Sequence, residues 1–144
     1  MKLHVITVYH NTSGWFTPYT AGHTLTPVIS HHRQLPEGTD PRQIAEWVFH
    51  VLNADLDSLE AARSNAGGES AFLLACTYRL MKLRSLAVGD VVAITLDDRT
   101  RWLTCDPAAW RTIRRAAQPV ETPVVVTVQQ HLQLQMQMQM GQNR

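Results

Sequence analysis

The side chains able to do chemistry are scattered along this chain. His31-His32 is the most metal-like local feature. A zinc site, however, needs three or four N, S or O donors converging on one point, and adjacent residues of an extended segment point apart. His4, His10, His23 and His50 show no ligand spacing, and Cys76 and Cys105 do not form a Cys-x-x-Cys pair. No metal and no cofactor is expected. Cys76 lies in an apolar helical segment and Cys105 stands beside Asp106, surroundings that disfavour the thiolate a nucleophile needs. Asp97-Asp98 reads as a solvated turn, not a working carboxylate pair. Ser13-Gly14 lacks the glycines of a nucleophile elbow, and Gly67-Gly68 and Gly89 make no phosphate-binding pattern. No catalytic residue is assigned, and a non-enzymatic role is expected.

Charge is distributed more tellingly. Met1 to Tyr78 carries four Lys/Arg against seven Asp/Glu, whereas Arg79 to Arg115 carries eight against four. The candidate binding residues lie in that second stretch: Arg84, Asp90, Arg101, Trp102, Arg111, Arg114 and Arg115. Arginines with exposed aromatics can grip phosphates and stack on bases, which makes a nucleic-acid-binding module over 79–115 one reading. The bland alternative is favoured: Trp102 and Trp110 belong to the core, and Arg111, Arg114 and Arg115 form the solvated face of a short helix. The formal net charge of +1 argues against a general nucleic-acid coat or a membrane-surface protein.

The elements that would position these residues follow from periodicity. At 144 residues with 44% hydrophobic and 17% charged side chains, the chain fits one globular domain able to bury a core. Lys2–Tyr9 alternates and reads as a central strand. Asn11–Gly22 reads as a loop. Thr24–Ser30 is a second strand that Pro27 would confine to an edge, and His31–Thr39 is again loop-like. Asp40 and Pro41 open a helix whose face carries Ile44, Val48, Val51 and Leu52, with Gln43 at the capping-box spacing and Asn53 as terminator. Asp57 and Glu60 suggest a second, short helix ending at Gly67-Gly68, and Ala71–Leu83 a third, buried one. Val91–Leu96 and Arg101–Cys105 form a hairpin about a polar turn. Asp106-Pro107 repeats the cap-plus-proline signal and predicts a short helix through about Arg115. Alternation from Val124 predicts that Pro123–Gln130 joins the sheet, followed by a Gln/Met-rich low-complexity tail over 131–144.

Two stretches carry a resemblance. Trp47-Val48-Phe49-His50-Val51-Leu52-Asn53 resembles an aromatic-rich helix ending in Phe-Asn. Arg84-Ser85-Leu86-Ala87-Val88-Gly89-Asp90-Val91-Val92, preceded by Tyr78-Arg79, resembles the Arg-Ser-Leu-Ser-Val-Gly-Asp-Val-Val core of YodL-like domains, small domains of bacteria, phages and mobile elements. The likeness spans roughly residues 46–113 and departs at Leu52, where the family often has Phe, and at Ala87, where it has Ser. It implies an accessory protein of a bacterium or mobile element that acts by binding, and it implies no catalytic residue.

The expected architecture is one α+β domain over 1–130: a mixed or antiparallel sheet of four to five strands, packed by two or three helices. The expected function is protein binding through Arg84, Asp90, Arg101 and the hairpin tip. Nucleic-acid binding through the basic region is the alternative, and an enzyme of unknown class stands third. With no secretory signal and no apolar run long enough to span a bilayer, no membrane association and a cytoplasmic location are expected.

Overall fold

The alternating segment Lys2–Asn11 forms β1, an inner strand, in a computed structural model that describes residues 1–14 and 16–114 and the backbone of 124–126. Around it the chain lays down β2 (Leu25–Leu35), α1 (Pro41–Asn53), α2 (Leu56–Ala61), α3 (Gly68–Leu80), β3 (Val91–Leu96), β4 (Arg99–Cys105), β5 (Trp110–Ile113) and β6 (Val124–Val126). The strand order is β5-β4-β3-β1-β2-β6. Five strands are antiparallel neighbours, and β6 adds a three-residue parallel edge against Ile29–His31. This is the expected α+β architecture.

Alternation sorts the sheet into two faces. Ile6, Val8, Ile29, Val92, Ile94, Leu103 and Cys105 pack under the helices against Ile44, Val48, Val51, Leu52, Leu74, Ala75 and Tyr78. The opposite face buries Tyr9, Leu25, Val91, Ala93 and Trp102 beneath Tyr19 of the β1–β2 loop. Tyr9 and Trp102 pack with their rings tilted by 45° and their centroids 5.3 Å apart. Trp102 and Trp110 are both 7% exposed, so both belong to the core.

Local chemistry explains the boundaries. Asp40 Oδ1 accepts the Arg42 N–H at 2.9 Å, capping α1 with Pro41 in its first turn. The cap of α2 is Asp55, two residues before the capping-box pair read from the sequence. Pro27 falls at a bulge: Val8 opposes Ile29 while Tyr9 opposes Pro27, so Val28 is the extra residue. β6 pairs only beyond it, at Ile29–His31, and the missing N–H of Pro27 leaves no gap in the described ladder.

Two expectations are corrected. His31–Leu35 is strand, not loop, because β1 keeps offering a partner down to Lys2, which opposes Leu35. Residues 107–114 do not form a helix. Asp106–Ala109 is a four-residue hairpin turn closed by the Asp106 N–H on the Ala109 carbonyl at 2.9 Å, and Trp110–Ile113 returns as β5 against β4. Asp-Pro suits both outcomes, since a φ near −65° serves the first turn of a helix and the second position of a β-turn alike. Trp110-Arg111-Thr112-Ile113 sets its apolar residues three apart, a spacing that does not exclude a helix, and the pairing with β4 decides for the strand. Residues 115–123 and 127–144, including Arg115 and the Gln/Met-rich tail, lie outside the described residues.

Candidate functional site

The turn into β3 is built around Asp90, which is 1% exposed. Its Oδ1 accepts the Asn11 N–H at 2.9 Å and Arg84 Nη2 at 2.7 Å. Its Oδ2 accepts Arg84 Nη1 at 2.7 Å and the Ala87 N–H at 2.9 Å. The carboxylate therefore clamps the segment that precedes it to the end of β1, with a bidentate guanidinium as its counter-ion. The hydrogen bonds to Asp90 raise the pKa of Arg84 and hold it charged. Gly89 sits at φ +96°, and a Cβ there would lie 2.3 Å from the Thr17 carbonyl oxygen. The position therefore admits only glycine, both for its backbone angle and for its contact with the β1–β2 loop.

Two further connections fasten this turn to the helices. Tyr78 Oη donates to the Arg84 carbonyl, so it must accept from His10 Nε2–H, 2.7 Å away. Burial, with Arg84 nearby, lowers the pKa of His10 to about 4, which leaves the ring neutral. Asn53 meets Leu86 as a strand would: its Nδ2 donates to the Leu86 carbonyl at 2.9 Å, and its Oδ1 accepts the Leu86 N–H at 2.7 Å. The two stretches that carry the family resemblance thus touch through Asn53 and Leu86. Leu86 and Val92 are core, while Val88 is half-buried.

The open site lies elsewhere, at the end of the sheet where α1 begins. A groove of about 860 Å³ is lined by Glu37–Pro41 and Ile44 on one side and by Ile94, Leu96–Arg99 and Arg101 on the other, with His4 between them. The sheet register explains the juxtaposition. Leu96 opposes both His4 and Arg99, and Ile94 opposes both Ile6 and Arg101, so the two arginines share the helix-facing side with His4. His4 is 2% exposed, and its Nδ1 donates to the Lys2 carbonyl at 2.9 Å. Lys2 Nζ reaches Asp97 at 3.1 Å and Glu37 at 3.7 Å, joining the two lips. Asp97 holds φ +54° in a two-residue hairpin turn, a backbone region that aspartate tolerates better than most residues.

The residues singled out from the sequence are distributed over three places. Arg84 and Asp90 form the clamp. Arg101 lines the groove. Trp102 is buried on the opposite face, and Arg111 pairs with Asp106 at 2.7 Å and donates to the Tyr19 carbonyl at 2.9 Å, tying β5 to the β1–β2 loop. Arg114 is exposed. Sequence reasoning missed His4, Arg99 and the Glu37–Ile44 wall as parts of one site. The trace of it was a histidine on the buried face of an alternating strand. Among the described residues no three His, Cys, Asp or Glu side chains converge as metal ligands, and no helix is long and apolar enough to cross a membrane. Burial raises the pKa of Cys105 to about 11 and also raises that of Cys76, which keeps both thiols protonated. Compared with protein-family models, with curated proteins and with solved structures, the chain finds no match.

Proposed function

We propose that this is a non-enzymatic accessory protein that binds another protein, and that the groove between α1 and the β3–β4 hairpin is its binding surface. The observation that carries this reading is the groove itself. It combines a half-buried Leu96, over the buried Ile44 and Ile94, with charges of both signs, a mixture suited to a polypeptide segment. The carboxylates Glu37, Asp40, Asp97 and Asp98 on its rim oppose a nucleic-acid backbone. Arg101 and the hairpin tip were already part of the surface read from the sequence. The resemblance to YodL-like domains fits a cytoplasmic accessory role in a bacterium or mobile element.

The test is affinity capture from bacterial lysate with the wild-type chain and with Arg99→Glu/Arg101→Glu. The expected outcome is a protein recovered reproducibly by the wild type and lost by the variant. Recovery of the same proteins by both chains would remove the groove from the reading.

A further inference from the structure

A second cavity lies where β2, α1 and α3 meet, and it shares no lining residue with the groove. Alternation along β2 turns Ile29 and His31 toward the helices, where His31 meets Trp47 of α1. On α3, Leu73 and Leu74 follow Ser70 by three and four residues, so one helix face brings all three to the same place. The space they bound with His31 and Trp47 is about 10 Å³, room for one water molecule. His31 is 5% exposed, and neither of its ring nitrogens has a hydrogen-bond partner among the described residues. Ser70 is half-buried, and its hydroxyl makes no hydrogen bond among the described residues.

The chemistry of the lining selects the occupant. Burial keeps the His31 ring neutral. A neutral imidazole carries one N–H and one lone pair, and a serine hydroxyl also donates and accepts. A cation placed here would stand beside Arg33, which completes the lining with His32. An anion would lose its hydration against Leu73 and Leu74 without a dedicated counter-ion, because Arg33 is stacked over the Trp47 ring. A small neutral group that both donates and accepts fits in size and in chemistry.

We propose that this cavity is a binding site for one ordered water molecule, hydrogen-bonded to a ring nitrogen of His31 and to the Ser70 hydroxyl. The water serves either tautomer of the ring, since it donates to the lone pair or accepts from the N–H. It gives one of the two polar atoms of a buried imidazole a partner, which offsets part of the cost of burying that ring. It also bridges β2 to the first turn of α3, a link that no direct hydrogen bond makes among the described residues.

The experiment compares the wild-type chain with Ser70→Thr, which keeps the hydroxyl, and Ser70→Val, which replaces it by a methyl of the same shape. Thermal melting verifies that both variants fold. Laboratory-frame and rotating-frame Overhauser contacts between water and the His31 ring protons should have opposite signs in the wild type, the signature of a water that tumbles with the protein. Ser70→Thr should retain these contacts and Ser70→Val should lose them. A high-resolution crystal structure of the wild type should place a water within about 3.2 Å of both a His31 ring nitrogen and Ser70 Oγ. A dry cavity in that structure, or water contacts unchanged in Ser70→Val, would overturn the proposal. So would a His31 ring signal that moves with bromide at constant ionic strength, which would make the occupant an anion.

Discussion

His31 is the least reconciled residue in the fold. It is 5% exposed, and neither ring nitrogen has a hydrogen-bond partner among the described residues. The ring lies 5.8 Å from that of Trp47, over which Arg33 stacks its guanidinium at 3.8 Å from the ring centroid. Burial first, then Arg33 and His32, lower its pKa from the ordinary 6.5 to about 3. His10, buried against Tyr78 and Arg84, is lowered to about 4. Between pH 6.5 and 4 the unfolded chain therefore binds two protons that the folded chain does not. Stability falls as pH drops through that window, by up to about 1.4 kcal/mol per pH unit for each histidine. Urea unfolding at pH 7, 6 and 5 should show this slope, and His31→Leu should remove one histidine's share while leaving pH 7 stability equal or higher, since no buried polar ring remains. An unchanged slope in the variant would mean that His31 titrates normally. The pair His31-His32 was visible in the sequence. That His31 is buried was not, because the sequence places the end of the strand at Ser30, and β2 runs on only because β1 continues to pair with it.

At the scale of elements, the contact between the end of α1 and the turn before β3 joins two segments 33 residues apart. Asn53 supplies both a donor and an acceptor to Leu86, so Asn53→Ala leaves two backbone groups in the protein without partners. A loss of about 2–4 kcal/mol is expected, read as a lowered melting temperature. Asn53→Asp should lose much of the same energy, because its carboxylate cannot donate to the Leu86 carbonyl; a variant as stable as wild type would show that water replaces the bond. Helix α1 and the β3–β4 hairpin were legible from periodicity and turn chemistry. The end of β2 and all of β5 were not. A strand's extent depends on how far its neighbour offers hydrogen bonds, and β5 exists because Trp110 finds a buried place opposite Cys105.

For the whole molecule, the basic stretch of the sequence does not become a basic face. Arg84 is bound to Asp90, Arg111 to Asp106, and Arg79 donates to the Ala54 carbonyl. Arg101 faces the helices, whereas Arg111, opposite Thr104, belongs to the other side of the sheet with Trp102. A polyanion would therefore find no continuous track of cations among the described residues. Elution from heparin at or below about 0.15 M salt, with a shallow dependence of DNA binding on salt, is the expected behaviour. Retention well above that concentration would restore the nucleic-acid reading.

What the sequence by itself determined was the class of the fold and most of its elements. These depend on periods of two and 3.6 and on caps, all properties of neighbouring residues. Only the tertiary structure decided which charges meet. Arg84 and Asp90 were read from the sequence as separate candidate binding residues, yet the fold pairs them with each other. Arg99 and His4 drew no notice as partners, yet the pairing of β1 with β3 and of β3 with β4 sets them on one side of one groove. Charges are local in sequence, but their compensation is long-range, and it is set by the register of strands that the sequence brings together from opposite ends of the domain.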